Sequence, residues 1–284
     1  LSGNLKVCIV DIGIGSPKTV VCGAPDVTVD ALVAYVPVGA KLGTTEITER
    51  EIKGIVSEGM LCSREDLGLE EKSEGLLKIP DGGAVIGESL SKALGLPDFI
   101  FDLDLTPNRG DCFSALGICR EIGALTGMAL KNSQFDFASV DIEDDFPIIL
   151  DAPQSCPIYA GRIIRDINNK GDSPVWISER LRRSGVRPVS PIVDITNYVM
   201  LELGQPMHAF DYDQLKERIV VRQSKKGEKL NLLDGQSIEL GQDTLVIADK
   251  NRPIALAGVM GGLSTGVSEE TANVFLESAF FDPI

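Results

Sequence analysis

The sequence predicts an α+β protein of several domains, and three observations lead to this fold class. Short alternating apolar runs, separated by glycine, proline and aspartate turns, fill roughly the first third of the chain. A polar turn, one helix-like run and an acidic stretch follow, and the remainder mixes helix-like and strand-like runs. At 284 residues each part can have its own hydrophobic core. We therefore divide the chain into residues 1–94, 95–146 and 147–284.

The first segment, residues 1–94, is predicted to be a small barrel of β-strands. We expect strands at Lys6–Asp11, Thr19–Cys22, Ala31–Val36, Glu46–Ile52, Gly59–Cys62 and Leu76–Ile79. Several short strands at this spacing are typical of a barrel that resembles the oligonucleotide-binding (OB) fold. Because the sequence has no initiating Met and enters its first strand almost at once, we expect the barrel to be truncated at its start.

The second segment, residues 95–146, is predicted to be a short helical connector. Thr106–Asp111 is a polar turn, and Asp111 is the expected N-cap of a helix over about residues 112–126. Gly127 is the expected end of that helix. The acidic run over residues 133–145 is predicted to be a linker.

The third segment, residues 147–284, is predicted to be a mixed α/β domain that is truncated at its end. Ser173–Pro174 begins a helix that ends at Gly185, and Ser190–Pro191 begins a second that ends at Gly204. Asp234–Gly235 indicates a β-hairpin. The expected strands are Ile219–Arg222, Lys229–Leu233, Ser237–Leu240, Thr244–Ile247, Ile254–Val259 and Val274–Leu276.

Composition and charge exclude several classes of protein. The chain is 43% hydrophobic and 24% charged, as folded domains are, and it has no apolar run of the roughly 18 residues that a membrane helix needs. A net charge of −15 argues against bulk nucleic-acid binding, which depends on many Lys and Arg side chains. The charge is uneven, however. Residues 147–284 carry 15 basic and 18 acidic groups, so this segment opposes a polyanion least.

The six cysteines are predicted to be reduced thiols of a cytoplasmic protein. They form no Cys-x-x-Cys motif, and a single histidine cannot complete a zinc site of cysteines and histidines. We therefore predict neither disulfides nor a bound metal ion.

The first candidate site surrounds His208, the only histidine of the chain. The residue follows the helix end at Gly204, so its ring is expected to project from a rigid loop. On a helix over residues 191–203, Thr196 lies near the centre of the apolar face and Asn197 at its flank. Structural alternatives stay open. A lone histidine is often structural or exposed, and a threonine in an apolar stripe usually bonds to its own helix.

Two further candidates lie on predicted strands near the C-terminus. One strand ends in Met260, Gly261 and Gly262, where the lack of side chains lets a ligand approach the backbone. A plain tight turn is the alternative, and a nucleotide site is less favoured because the motif has no Walker lysine. Glu277 interrupts an apolar run, so it lies either on a solvent-facing side or as a buried acceptor for a ligand hydroxyl.

Four blocks of sequence together resemble the β subunit of bacterial phenylalanyl-tRNA synthetase. The blocks are Ile52–Ser63 with Asp66–Leu69, Leu105–Cys112, Val193–Asp211 and Ala257–Gly262. The resemblance extends essentially from end to end. It implies a tRNA-binding-type OB barrel, a connector and an α/β editing domain that hydrolyses the ester of tyrosine mischarged onto tRNA(Phe).

The resemblance also implies roles for the candidate residues. It implies that Thr196, Asn197, His208, Gly261 and Glu277 line the editing pocket. We expect Thr196, Asn197 and His208 to be catalytic, and Met260, Gly261, Gly262 and Glu277 to bind the substrate, without a metal ion. Glu277 would bind the phenol of the tyrosine. His208 would orient the attacking water or the terminal ribose.

The same resemblance implies partners and cofactors. The partners would be tRNA(Phe) and the α subunit, in an assembly of two α and two β subunits, with no membrane involved. ATP and magnesium would act in the holoenzyme at the aminoacylation site of the α subunit, so this chain itself needs no cofactor. A downstream stretch bearing Thr and Ala, which completes the pocket in the family, is expected outside this sequence. The alternative function is a non-catalytic module that docks tRNA or the α subunit.

Overall fold

The computed structural model describes residues 5–73, 75–80, 82–131, 135 and 137–283. The chain is a mixed α/β protein with few helices and many strands. It divides into two compact units: a first unit of residues 1–99 and 174–179, and a second unit of residues 100–173 and 180–284. The division into three segments remains a prediction. Among the described residues no helix is long and apolar enough to cross a membrane.

The first unit consists mainly of short antiparallel strand pairs. Its elements are β1 (Lys6–Val10), β2 (Lys18–Cys22), β3 (Leu32–Val33), β4 (Tyr35–Pro37), β5 (Lys41–Leu42), β6 (Thr45–Glu46), β7 (Arg50–Ile52), β8 (Ile55–Ser57), β9 (Gly59–Leu61), β10 (Lys78–Ile79) and α1 (Leu90–Ala93). Among the described residues the strands pair two by two, as β1–β2, β3–β10, β4–β9, β5–β6 and β7–β8. The predicted strand Ala31–Val36 is divided at Ala34, because the chain changes its partner there from β10 to β9.

The OB-like barrel expected for the first unit remains a prediction. β2 lies beside β8, since the backbone N–H of Glu58 donates to the carbonyl of Thr19 at 2.8 Å and that of Val21 to the Ser57 hydroxyl at 3.1 Å. These bonds extend the pairing, but the described strands do not form one continuous ladder. The largest buried cluster of this unit comprises Ala34, Cys62, Leu77, Ile79, Leu94 and Val175.

The connector helix of the second unit begins later than predicted. It is α2 (Ala115–Thr126), and its N-cap is Ser114, whose hydroxyl accepts the N–H of Gly117 at 3.0 Å. Asp111 as N-cap is therefore wrong. Its carboxylate is bound by the guanidinium of Arg109 at 3.0 and 3.1 Å, within a separate 3₁₀ turn. The end at Gly127 is confirmed, with a left-handed φ of 72°.

The acidic linker prediction falls partly outside the described residues. Residues 135 and 137–145 have neither helix nor strand. Residues 133, 134 and 136 lie outside the described part of the chain.

Both helices predicted in the third segment are confirmed. They are α3 (Val175–Arg183) and α4 (Pro191–Leu203), and α4 ends at Gly204 with a φ of 80°. A helical wheel places Asp194 opposite the apolar face of α4, where an exposed side chain is expected. In the structure this side chain is buried. Its carboxylate accepts the Ser173 hydroxyl and the N–H of Val189 at 2.7 Å, and these bonds compensate for its removal from water.

Two β-sheets form the centre of the second unit. The strands are β11 (Ile148–Leu150), β12 (Ile158–Ile164), β13 (His208–Asp211), β14 (Ile219–Gln223), β15 (Lys229–Asn231), β16 (Ser237–Glu239), β17 (Leu245–Ala248), β18 (Pro253–Leu256), β19 (Met260–Gly261) and β20 (Val274–Phe280). One sheet has the order β11-β14-β17-β18-β19, and the other has the order β12-β20-β13. β15 and β16 form the hairpin predicted at Asp234–Gly235. The sequence analysis missed β11, β12 and β13.

Both faces of the three-stranded sheet carry buried residues. Phe210 and Phe275 lie on one face, in a cluster with Ile219 and Ile247 of the five-stranded sheet. The opposite face carries Ala209 and Val274, which pack against Ile192 of α4. Because side chains alternate across a strand, every residue of β13 and β20 can be assigned to one face or the other.

Candidate functional site

His208 and Glu277 are direct neighbours on adjacent strands. β13 pairs antiparallel with the central strand β20, and His208 is opposite Glu277 in the register. On the other side of β20, Gly161 of β12 is opposite Glu277, and Tyr159 lies two residues away on the same face. The register therefore places Tyr159, Glu277 and His208 on the face that carries Phe210 and Phe275.

The expectation that His208 projects from a loop is wrong. His208 is the first residue of β13 and pairs with β20. The helix ends at Gly204, and the amide of Gln205 already donates to the carbonyl of Ala279 on β20 at 3.3 Å. The chain therefore joins the sheet within a few residues of the helix end, and His208 lies on a paired strand.

Glu277 is a buried acceptor of a phenol hydroxyl. The residue is 6% exposed, and the hydroxyl of Tyr159 donates to its Oε2 at 2.9 Å. Oε1 has no hydrogen-bond donor among the described residues. Burial raises the pKa of Glu277 to about 7, and the bond from Tyr159 works in the opposite direction by stabilising the carboxylate. Glu277 is therefore buried rather than solvent-facing, and its binding of a ligand hydroxyl remains a prediction.

Tyr159 is a residue that the sequence analysis missed. Burial, followed by the nearby charge of Glu277, raises the pKa of its phenol far above the ordinary value, so the hydroxyl keeps its proton. Burial also raises the pKa of the Cys156 thiol, again with a contribution from Glu277. The run Ile158–Ile164 contains three isoleucines and one tyrosine, and this composition is the signal that could have predicted β12.

The imidazole of His208 occupies space that only a glycine leaves free. A Cβ atom on Gly261 of β19 would lie 2.6 Å from Nε2 of His208. The ring meets Phe210 edge-on, with centroids 4.4 Å apart. Nε2 is buried and has no hydrogen-bond partner among the described residues. Burial lowers the pKa of His208 to about 4, so the ring is neutral at pH 7.

The predicted strand that runs into Met260, Gly261 and Gly262 is divided, because β18 ends at Leu256 and β19 pairs back antiparallel with it. Met260 and Gly262 have structural surroundings. The N–H of Gly262 donates to the carbonyl of Ile254 at 2.7 Å, within the five-stranded sheet. Met260 packs against a buried cluster that includes Leu230 and Val246. A ligand role for Gly262 and Met260 remains a prediction, whereas Gly261 lies directly against His208.

Thr196 and Asn197 lie on a helix that packs on the other face of the three-stranded sheet. Ile192 of α4 contacts the side that carries Ala209, opposite the His208 side. The Thr196 hydroxyl donates to the carbonyl of Val193 at 2.9 Å, which is the structural alternative for this residue. In the described part of the chain, no hydrogen bond joins Thr196 or Asn197 to His208 or Glu277. Their catalytic role remains a prediction.

The arrangement offers hydrogen bonding rather than a covalent nucleophile. Glu277 titrates near neutral pH, and His208 contributes a neutral imidazole with an unpaired nitrogen. The nearest thiol, Cys156, has a raised pKa, whereas a nucleophilic cysteine needs a lowered one. Within the described residues, no group of three or more His, Cys, Asp or Glu side chains could hold a metal ion.

Comparison with known proteins places these residues in a known sequence context. Residues 155–284 match the family model described as "B3/4 domain", and residues 2–88 match the model described as "Putative tRNA binding domain". The phenylalanine–tRNA ligase β subunit of Coxiella burnetii is 48% identical over 280 residues, which cover 99% of this chain and 35% of that protein. Those of Dechloromonas aromatica and Xanthomonas oryzae pv. oryzae are 49% and 50% identical, with the same coverage of both chains.

Among solved structures, an N-terminal fragment of the β subunit from Pyrococcus horikoshii is 17% identical, with a TM-score of 0.37 over 62% of this chain and 54% of that one. This likeness is too weak to inform the fold. The chain spans about a third of the length of the curated relatives that it matches. Over that third, the comparisons confirm the resemblance of this sequence to phenylalanine–tRNA ligase β subunits.

Proposed function

We propose that the second unit carries a hydrolytic editing site, which removes tyrosine mischarged onto tRNA(Phe), and that the chain is part of a phenylalanine–tRNA ligase β subunit. One observation carries this proposal. Buried Glu277 accepts the phenol hydroxyl of Tyr159 at 2.9 Å, directly beside His208. The site is thus able to bind the one group that distinguishes tyrosine from phenylalanine.

The physical need for such a site follows from the limits of the synthetic site. A pocket that accepts phenylalanine rejects the added hydroxyl of tyrosine only about 100-fold. A second site with a buried acceptor selects in the opposite direction, because bound phenylalanine leaves that acceptor unpaired at a cost of roughly 1–3 kcal/mol. Oε1 of Glu277, which lacks a donor among the described residues, is the oxygen available for this purpose.

His208 is assigned to orienting the attacking water or the terminal ribose. A general base is most effective when its pKa is near the operating pH, and the pKa of His208 is about 4. A weak base of this kind is suited to forming hydrogen bonds rather than to removing protons. Its Nε2 has no hydrogen-bond partner among the described residues, and it lies buried against Gly261.

The remaining parts of the proposal concern the whole protein. The match of residues 2–88 to a tRNA-binding family model supports contact of the first unit with tRNA, through the OB-like barrel predicted from its sequence. The partner would be the α subunit in an assembly of two α and two β subunits. ATP and magnesium would serve aminoacylation there, and no step at His208 or Glu277 requires them.

The test is deacylation by the complete β subunit assembled with its α subunit. We expect Tyr-tRNA(Phe) to be hydrolysed faster than Phe-tRNA(Phe), and Glu277→Gln to reduce the ratio of the two rates roughly tenfold or more. Glu228→Gln is the matched control, because Glu228 is also a mostly buried carboxylate of the second unit but pairs with Arg222. If the parent complex hydrolysed neither ester, the docking alternative would replace the editing proposal.

A further inference from the structure

We propose that Tyr159 is a positioning residue of this site, whose phenol holds Oε2 of Glu277 so that Oε1 is the oxygen presented to a ligand hydroxyl. This inference rests on the proposed function, since it concerns how the same carboxylate recognises tyrosine. Tyr159 acts through Glu277 and need not touch the substrate.

The strand register explains why Tyr159 has this position. The residue of β12 directly opposite Glu277 is Gly161, which has no side chain. The ring of Phe275 fills that space, since a Cβ on Gly161 would lie 2.7 Å from its Cε2 atom. Tyr159 is the next residue of β12 on this face, and its long side chain reaches Oε2 at 2.9 Å.

The hydrogen bond from Tyr159 favours the ionised form of the Glu277 carboxyl group over its protonated form. The titratable groups near Glu277 among the described residues include Tyr159, Cys156 and His208. The imidazole is neutral, and the thiol and the phenol both keep their protons. No positive charge therefore stabilises the carboxylate, and the donated O–H of Tyr159 is the interaction that opposes its neutralisation.

Removal of the phenol has two consequences. In a Tyr159→Phe variant the side chain of Glu277 loses its donor, so its pKa rises further and the carboxyl is protonated at neutral pH. It also loses the bond that fixes the orientation of Oε1. A hydrogen bond to a charged group is worth enough that preference for the tyrosyl over the phenylalanyl ester should fall roughly tenfold at neutral pH. Part of that preference should return at higher pH, where the carboxylate forms again.

The experiment uses the complete β subunit assembled with its α subunit. The ratio of kcat/KM for deacylation of Tyr-tRNA(Phe) and Phe-tRNA(Phe) is measured from acid to alkaline pH in the parent, Tyr159→Phe, Glu277→Gln and the double variant. We expect Tyr159→Phe to move the pH profile of the ratio to higher pH. In the double variant, we expect the ratio to be the same as in Glu277→Gln alone. Tyr212→Phe is the matched control, because Tyr212 packs against the same buried cluster but its ring lies under the guanidinium of Arg165, 4.6 Å from the ring centroid.

A second readout is independent of activity. Infrared difference spectra of the same proteins follow the protonated-carboxyl stretch of Glu277, identified by its loss in Glu277→Gln. Tyr159→Phe should shift the titration of this band to higher pH. Ring-fluorinated tyrosine at position 159, a stronger donor, should shift the titration of this band to lower pH while keeping the aromatic ring and its hydroxyl.

The two proposals fail in different ways. The parent complex could prefer the tyrosyl ester while Tyr159→Phe moves neither the pH profile of the rate ratio nor the infrared band of Glu277. That result would overturn the role of Tyr159 and leave the editing function standing. Alternatively, Tyr159→Phe could move the titration of the infrared band while the parent complex shows no preference for the tyrosyl ester. That result would support the bond from Tyr159 to Glu277 and refute the editing function.

Discussion

Gly261 lacks a side chain at the point where a Cβ atom would lie 2.6 Å from Nε2 of His208. The edge strand of the five-stranded sheet thus presses its bare backbone against the imidazole. This contact explains why position 261 is a glycine, although the residue that it contacts lies 53 positions earlier in the sequence. The position of the ring therefore depends on the packing of the two sheets.

Gly261→Ala should displace the His208 ring. The added methyl cannot be accommodated without a shift of the ring or of β19, and overpacking of this kind destabilises a fold by about 1–3 kcal/mol. We expect Tyr-tRNA(Phe) deacylation by the complete complex to fall at least tenfold. Gly171→Ala is the control, because a Cβ there meets its nearest atom, on Asn168, at an ordinary 3.5 Å. Full activity of Gly261→Ala would show that the ring position is not needed.

The proposed preference of the site for tyrosine should depend on pH. With a pKa of about 7, Glu277 changes from a neutral acid to a carboxylate between about pH 6 and pH 8. Since the carboxylate is the better acceptor for a phenol, the ratio of tyrosyl to phenylalanyl ester hydrolysis should rise across this range. At each pH, the rate of uncatalysed hydrolysis of each ester is subtracted before the two rates are compared. A ratio that stays constant from pH 6 to pH 8 would contradict the role of Glu277.

Glu277 should also make the fold less stable as the pH rises. Its folded-state pKa of about 7 lies above the ordinary 4.5, so the folded protein binds the proton more tightly than the unfolded chain. The associated stability is complete below about pH 4.5 and is lost as the pH rises through 7, by about 3 kcal/mol. Glu277→Gln should lack this loss, and its free energy of unfolding should gain on the parent between pH 5 and pH 8, as urea denaturation can measure.

His208 should have the opposite pH dependence. Its folded-state pKa of about 4 lies below the ordinary 6.5, so stability from this residue is present above about pH 6.5 and is lost as the pH falls towards 4. His208→Gln should remove that acid-side loss in the same denaturation series. If the parent and His208→Gln lost stability equally between pH 6.5 and pH 4, the ring would not be buried as a neutral group.

The cap of the connector helix distinguishes Ser114 from Asp111. Ser114→Ala removes the acceptor of the Gly117 N–H and should destabilise the protein by about 1 kcal/mol. Asp111→Asn should have a much smaller effect, since its side chain is largely exposed and lies outside α2. The comparison is made by thermal or urea unfolding of both variants. A larger loss in Asp111→Asn would restore the cap that the sequence analysis predicted.

Local features were predictable from the sequence because they depend on neighbouring residues. Pro191 at the start of α4, Gly204 and Gly127 at helix ends, and the hairpin near Gly235 all follow from backbone preferences within a few residues. The cap at Asp111 was wrong because Arg109 binds that carboxylate, and a sequence pattern does not show which of two acceptors a helix will use.

The site itself was only half determined by the sequence. Glu277 within an apolar run and the lone His208 were identifiable, and the resemblance to a family added their proposed roles. Only the tertiary structure decided that the two residues are opposite each other, that Tyr159 donates to Glu277 from 118 positions away, and that Gly261 lies against the imidazole. The physical reason is that strand register and the alternation of side chains decide which distant residues share a face, and burial on that face then sets the charge of each group.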